Sequence, residues 1–476
     1  MLKRNASSKH SSAPAEGQWA VGEFAQAPLP DQRLVQRLIT VATDFAQHPT
    51  APIPQACGSW DKTKAAYRFF DNDAVTPAAI LAPHVQSTLA RVRAHPVVLC
   101  AQDTTTLNYS THPQTKNLGP IGNNRDKTIG LLLHATLALT PSGQPLGLLH
   151  AQTWARSPRH FGRSSQQRNR TPRAQKESQK WMNSFTACQA LARQCPDTTL
   201  VNVADREGDL YDLFQQALAP TQEPPVHLLV RAQHDRQVAH RQRYLWDFLA
   251  AQRVNARLKI KVPRKDGQPA RLATLAIRFA RVTLRPPCLK EDQPSLTLWT
   301  VEAREMRPPK GATPICWRLL TTLPVETAEA AVEKIRWYAQ RWQIEVLHKV
   351  LKSGCQVEQR QLETAARLQR VVMVDLVVAW RVLGLCKAAR ETPTGLASDW
   401  LSAAEWQALW CYMHERAQPP RRAPTVRQAV RWIAQLGGFL GRRRDGEPGP
   451  IMLWRGLQQL RAITAAWKRF GHESCG

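Results

Sequence analysis

The sequence predicts an α/β chain, a mixed core held between helical ends. Helical spacing in the first 75 residues gives way near residue 97 to short apolar runs of strand type. It returns over Val332–Lys352 and continues to the C-terminus. Between about 236 and 323 lies a strand-rich stretch bounded by Pro286-Pro287, Pro308-Pro309 and Pro314. The 476 residues suffice for about three domains of roughly 150 residues each.

Residues 1–18 are polar and Ser-rich, and disorder is expected there. A helix begins at Asp31 as N-cap, with Leu34, Leu38, Val41 and Phe45 at helical spacing, and a second runs over Asp61–Phe70. Pattern alone leaves open whether residues 1–75 bind DNA or cap the next domain. Val97–Ala101 reads as a buried strand ended by Asp103-Thr104-Thr105, Thr128–Leu139 as a second, and Leu146–Trp154 as a third. A helix over Ala174–Cys195, a strand Leu200–Ala204 ending at Asp205, a helix Leu210–Leu218 and a strand His227–Arg231 follow. Strand-strand-strand-helix-strand-helix-strand is the order of ribonuclease-H-like domains. It puts Asp103 on the first strand and Asp205 at the end of the fourth.

That core spans residues 76–370, and the stretch from 236 to 323 is a β-rich insertion, because 140 residues separate Asp205 from Glu345 and no loop runs so long. The closing helix, VEKIRWYAQRWQIEVLHKVLK, places Ile335, Ala339, Trp342, Val346 and Val350 on one apolar stripe. Tyr338, Arg341, Glu345, Lys349 and Lys352 share the adjoining face. Such a face is ordinarily a solvated flank with i,i+4 pairs such as Arg341–Glu345. Residues 371–476 form a helical C-terminal domain, with helices expected at Ala365–Cys386, Ala403–Arg416, Val426–Leu436 and Trp454–Phe470.

Lys and Arg number 65 against 37 Asp and Glu, a net charge of +28, which points to a polyanionic partner, nucleic acid first. Three runs carry the surplus: 156–180, 231–281 and 421–444. No basic amphipathic helix or lipidation signal argues for a membrane surface. The ten cysteines show no metal-site spacing and read as reduced core residues of a cytosolic protein. Asp103, Asp205 and Glu345, if brought together, supply the hard oxygen ligands with which two divalent ions cleave a phosphodiester, and Mg²⁺ suits them. Each Asp alone is also an ordinary turn residue.

Tyr338-x2-Arg341-x3-Glu345-x6-Lys352, inside YAQRWQIEVLHKVLKSG, resembles the Tyr-Arg-Glu-Lys signature of the transposon-five family of bacterial insertion-sequence DDE transposases. VNVADREGDLYDLF is similar to the family's second-aspartate segment, and CAQDTTTLNYS, more loosely, to its first. AYRF at Ala66–Phe69 resembles the N-terminal region that binds transposon ends, and LGGF at Leu436–Phe439 the C-terminal region with dimer contacts. The resemblance implies Asp103, Asp205 and Glu345 as catalytic metal ligands, holding two Mg²⁺ ions per site with Mn²⁺ as substitute. It implies DNA contacts by Tyr338, Arg341, Lys349, Lys352, Arg231 and Arg68. Trp317 takes the place of a tryptophan that stacks a flipped base, though an ordinary core Trp on a strand remains open. The expected activity is cut-and-paste transposition: nicking, hairpin formation and joining of transposon ends to target DNA. A homodimer would bridge two inverted-repeat ends in a synaptic complex, without a membrane, in the bacterial cytoplasm at the nucleoid. The alternatives are a ribonuclease-H-like nuclease without strand transfer and a non-catalytic DNA-binding relic.

Overall fold

The structure, a computed structural model, describes residues 18–122, 127–158, 161, 172, 175–220, 224–240, 243–262, 270–288, 291–442 and 445–470. The expectation for residues 1–18, apart from Gln18, and most of that for the basic run 156–180 lie outside the described residues. The chain divides into two compact units. One comprises Met1–Pro83, Lys349–Leu362 and Arg370–Gly476, the other His84–His348 and Glu363–Gln369.

Five helices open the chain: α1 (Gln18–Phe24), α2 (Gln32–Gln47), α3 (Ile53–Cys57), α4 (Trp60–Asp71) and α5 (Pro77–Val92). Asp31 caps α2, its carboxylate accepting from the Arg33 N–H at 2.8 Å, and Leu38, Val41 and Phe45 are buried. Gly58, at φ 71°, ends α3 in the left-handed region that glycine tolerates best. Helix α5 is absent from the sequence reading because Pro77 and Pro83 suggest a loop. Pro77 instead opens the helix, where its missing N–H costs nothing, and Thr76 accepts from the Ala79 N–H at 3.1 Å.

The second unit is built on one sheet. Its strands are β1 (Val97–Asn108), β2 (Gly119–Pro120), β3 (Ile129–Leu139), β4 (Pro145–Trp154), β5 (Thr199–Ala204), β6 (His227–Arg231), β7 (Ala256–Val262), β8 (Arg271–Leu284), β9 (Leu296–Glu305) and β10 (Cys316–Thr321). The order is β2-β3-β1-β5-β6-β10-β9-β8-β7, with β4 also on β3. β1 is antiparallel to β3 and parallel to β5, and β5 is parallel to β6. Strands β4-β3-β1-β5-β6 reproduce the ribonuclease-H-like arrangement expected from the sequence. Helices α6 (Gln179–Ala192) and α7 (Tyr211–Ala217) cross between the parallel strands. Trp181, Phe185, Cys188 and Phe214 lie in the core that they bury.

The inserted strands do not form a sheet of their own. β10 pairs with β6, and β9, β8 and β7 extend the same sheet outward. The short helix α8 (Leu245–Ala250) precedes β7. Two further corrections bear on the site. β1 does not end at Asp103 but runs on to Asn108, since Thr104, Thr105 and Thr106 are β-branched and pair with β3. The closing helix is not one rod: α9 (Ala328–Gln340) stops at Arg341, α10 (Trp342–Lys349) restarts, and a π-helical turn follows over Val350–Gly354. The break rotates the faces. Trp342, expected inward, is 56% exposed and Ala339 is exposed, while Trp337 and Tyr338 are buried.

The C-terminal helices are α11 (Ala365–Glu391), α12 (Ala403–His414), α13 (Val426–Leu436) and α14 (Pro450–Phe470). Capping boxes open α12 (Ser402 with Glu405) and α13 (Thr425 with Gln428). α11 is apolar nearly all round, yet no helix among the described residues is long and apolar enough to cross a membrane. Seven of the described cysteines are buried, whereas Cys288 is exposed and Cys316 half-buried, against the expectation of core residues throughout.

Asp375, fully buried on α11, grips Arg360 through two bonds of 3.0 and 2.9 Å, and Arg360 also donates to the Ala51 carbonyl at 2.7 Å. Asp375→Ala strands a buried guanidinium and is expected to cost about 3–5 kcal/mol. The paired change Arg360→Met with Asp375→Leu should recover much of that loss. Thermal melts of the two proteins check this; equal losses in both would contradict it.

Candidate active site

Three carboxylates converge on the second unit's sheet. Alternation along β1 sends Gln102 and Thr104 to one face of the sheet and Asp103 to the other. Asp205 stands just past the end of β5, where its side chain accepts from the Glu207 N–H at 2.9 Å and caps the short turn Arg206–Gly208. Glu345 lies in the first turn of α10.

Arg341, in the joint between α9 and α10, links two of them. Its Nη2 donates to Glu345 Oε1, and its Nη1 lies 3.9 Å from Asp103 Oδ1. His348, one turn beyond Glu345, brings Nδ1 to 3.7 Å from Asp103 Oδ2. Burial, opposed by Arg341 and reinforced by the charges of Asp205 and Glu345, pushes the Asp103 carboxyl up to about 7.

The reverse face of the sheet holds Asp103 from behind. Thr104 Oγ1 meets His134 Nδ1 at 2.9 Å, His134 Nε2 meets Gln102 Oε1 at 3.1 Å, and Gln102 Nε2 donates to Asn202 Oδ1 at 2.6 Å. The amide of Gln102 donates to Asn202 through its NH₂, so its oxygen accepts from His134 Nε2–H and Nδ1 accepts from Thr104. Burial holds the imidazole well below its usual range and therefore neutral, consistent with that assignment. The chain of bonds ties β3, β1 and β5 together directly behind the first two aspartates.

The D-R-E-x-D segment divides its labour. A Cβ on Gly208 would come within 2.5 Å of the Ala204 methyl and 3.3 Å of the Trp181 ring, so packing requires glycine there. Asp209 is buried and accepts from Arg236 Nη1 at 2.5 and 2.6 Å and from the Gln233 and His234 N–H groups at 2.7 and 3.0 Å. It fastens a loop; the acid at the site is Asp205.

Other residues singled out in the sequence fall in several places. Tyr338 is buried, with its ring edge-on to half-buried Trp317 at 5.5 Å between centroids. Arg231, on β6, donates to the Cys316 carbonyl at 3.1 Å. In the other unit, Arg68 is exposed on α4, Lys349 is exposed, and Lys352 lies 3.8 Å from Glu358. Sequence reasoning missed His348, which the i+3 spacing from Glu345 signals, and the buried set of Gln102, His134 and Asn202, which only strand pairing reveals.

Three hard-oxygen ligands suit a divalent cation in kind; burial raises Asp103 first, and the charges of Asp205 and Glu345 add to it. Among the described residues, however, no three acidic, His or Cys side chains are gathered closely enough to hold a metal ion. The cation between Asp103 and Glu345 is the guanidinium of Arg341.

Three family models match the chain in succession: Transposase DNA-binding over residues 16–75, Transposase DDE domain over 159–379, and Transposase Tn5 dimerisation domain over 377–473. Asp205 and Glu345 fall inside the second span; Asp103 precedes it. A cryo-EM structure of a piggyBac transposase synaptic complex with hairpin DNA superposes at a TM-score of 0.36 with 10% identity, covering 76% of this chain and 67% of that one. DDE transposases use divalent metal ions. The DNA-binding, DDE and dimerisation regions follow one another along a single polypeptide, and the chain belongs to the Tn5-like DDE transposases.

Proposed function

We propose that this transposase works by cut and paste, with Asp103, Asp205 and Glu345 as its catalytic carboxylates. The observation that carries the reading is the convergence of charge on Asp103: a strand carboxylate whose proton is held by burial and by Asp205 and Glu345, two acids from distant parts of the chain. Two Mg²⁺ ions, with Mn²⁺ as substitute, would supply activation of the attacking oxygen and stabilisation of the leaving one. Asp103 and Asp205 hold their carboxylates from one sheet face, and Glu345 closes the set from α10. The Gln102–His134–Asn202 bonds keep the two strands in register. Arg341 offers a cation to the DNA backbone near the scissile phosphate, and Lys349 and Lys352 are further DNA contacts of the chain. Residues 1–75 form the DNA-binding domain, 76–370 the catalytic domain and 371–476 the dimerisation domain. The substrate is the pair of inverted-repeat ends, bridged by two copies of the chain.

The test is an end-bearing duplex incubated with Mg²⁺ and a supercoiled target. Nicked ends, hairpins and ends joined to the target are expected in that order. Cleavage with no joined product would reduce the protein to a nuclease. Because Asp103 titrates near 7 before any cation binds, a cation must displace its proton at lower pH. Mn²⁺ affinity is therefore expected to fall by up to about tenfold per pH unit below 7 and to level off above 8. Titrations from pH 6 to 8.5 check this, and an affinity flat across that range would contradict it.

Trp317, half-buried beside Tyr338, is proposed to stack the base that leaves the helix when the hairpin forms. Base–aromatic stacking is worth about 1–3 kcal/mol. Trp317→Ala is thus expected to slow the hairpin step about 5- to 150-fold with nicking near normal. Equal losses in both steps, with a large fall in melting temperature, would leave it a packing residue.

A further inference from the structure

We propose that Arg341 is an internal cation of the DNA-free enzyme, which keeps divalent ions off the carboxylates until a DNA phosphate takes the guanidinium away. The inference rests on the reading of Asp103, Asp205 and Glu345 as the cation site. Three observations carry it.

The first is occupancy. The guanidinium donates to Glu345 Oε1 and faces Asp103 Oδ1 at 3.9 Å, so it fills the space where a shared cation would bridge those two acids. A carboxylate oxygen engaged by a guanidinium has that lone pair taken, and two cations cannot share it without strong repulsion. Among the described residues no three acidic, His or Cys side chains are gathered closely enough to hold a metal ion, and Asp103 and Glu345 face the arginine instead.

The second is an unfinished bond. Nη1 of Arg341 is buried and has no hydrogen-bond partner among the described residues. A buried donor left unmade is costly, and a phosphate oxygen, which accepts in the fork geometry of a guanidinium, is the natural partner to relieve it. Arg341 is thus held well enough to block the site yet not well enough to stay when phosphate arrives.

The third is position. Arg341 stands at the joint of α9 and α10, where the backbone tightens: its N–H donates to the Tyr338 carbonyl at 3.0 Å, and the Ile344 N–H donates to the Arg341 carbonyl at 3.1 Å. Both bonds span three residues rather than four, which frees the side chain from the regular helical stripe on either side. Rotation about its own side-chain bonds moves the guanidinium and breaks its bond to Glu345 Oε1, while Glu345 stays in place on α10.

The consequence is that metal uptake and DNA binding favour each other, as any competition relieved by a second ligand requires. An enzyme built this way carries little metal when no DNA is bound.

The experiment measures Mn²⁺ binding to the DNA-free full-length protein at pH 8 by the electron-paramagnetic-resonance signal of free Mn²⁺, together with the shift in melting temperature on adding Mn²⁺. Arg341→Gln is expected to bind Mn²⁺ about tenfold or more tightly than the unaltered protein, the worth of a charge-assisted bond that the metal no longer has to break. Its melting temperature should rise further with Mn²⁺ than that of the unaltered protein. Arg341→Lys, which keeps a cation in place, should bind Mn²⁺ more weakly than Arg341→Gln. An Arg341→Gln protein that binds Mn²⁺ no more tightly than the unaltered one would overturn the proposal. Adding Glu345→Ala to Arg341→Gln separates the two readings. If the added change weakens Mn²⁺ binding, the cation site stands and only the role of Arg341 is in question. If it leaves binding unchanged, the cation lies elsewhere and the site reading itself fails.

Discussion

Glu345→Ala is expected to slow Mg²⁺-dependent strand cleavage by about 10³-fold or more, a barrier change of about 4 kcal/mol, while end binding stays nearly unchanged. The separation follows from where the residue stands. Glu345 is partly exposed on the first turn of α10, so its loss removes little packing. It is one of two acids, with Asp205, whose charge raises Asp103, and the proposed DNA track rests largely on basic residues elsewhere. Cleavage rates, gel-shift affinity and thermal melting, measured on one preparation, make the comparison. Cleavage within about 30-fold of the unaltered protein, roughly 2 kcal/mol, would remove Glu345 from the catalytic set.

End binding should weaken by about 10³-fold or more between 50 and 200 mM salt if at least six phosphates are neutralised. The structure narrows which cations can do this. On β7, Arg257, Lys259 and Lys261 alternate outward while Leu258 and Ile260 turn the other way. By contrast, Arg271 and Arg278 are engaged by Glu305 and Glu302, and Arg427 and Arg431 by Glu447. Replacing the three β7 residues with Gln should flatten the salt slope by up to about 2.7, or 0.9 per lost phosphate contact. An unchanged slope would show that β7 lies off the DNA track, and a nearly flat slope in the unaltered protein would dismiss a long track altogether.

Much of this architecture is legible without coordinates because the core strands are buried on both faces. Val97–Ala101 and Leu200–Ala204 are unbroken apolar runs, and such runs leave few alternatives. The joint at Arg341 was not legible. VEKIRWYAQRWQIEVLHKVLK contains no Gly or Pro, and every local preference favours one continuous helix. Tertiary packing overrides that preference: Trp337 and Tyr338 are buried in place of Ala339, and Trp342 turns outward. The charge runs are only partly legible, for a different reason. The stretch from 421 to 444 contains no acid, yet its arginines find Glu447 and Asp445 just beyond it. Pairing partners that lie outside a window cannot be counted within it. The buried polar set behind Asp103 is not legible in the sequence because Gln102, His134 and Asn202 come from three strands. Only the register that sets Thr104 opposite His134 and Cys100 opposite Asn202 brings them together.

The central claim is that Asp103, Asp205 and Glu345 hold the divalent cations, and iron-directed cleavage of the polypeptide bound to an end-bearing duplex tests it most directly. Fe²⁺ bound in place of Mg²⁺ generates hydroxyl radicals in the presence of ascorbate and peroxide, and these cut the chain close to the ion. The account predicts fragments ending near residues 103, 205 and 345 together, suppressed by excess Mg²⁺ and lost in Glu345→Ala. Fragments clustered elsewhere, or cuts near the three acids that persist in Glu345→Ala and in excess Mg²⁺, would contradict it.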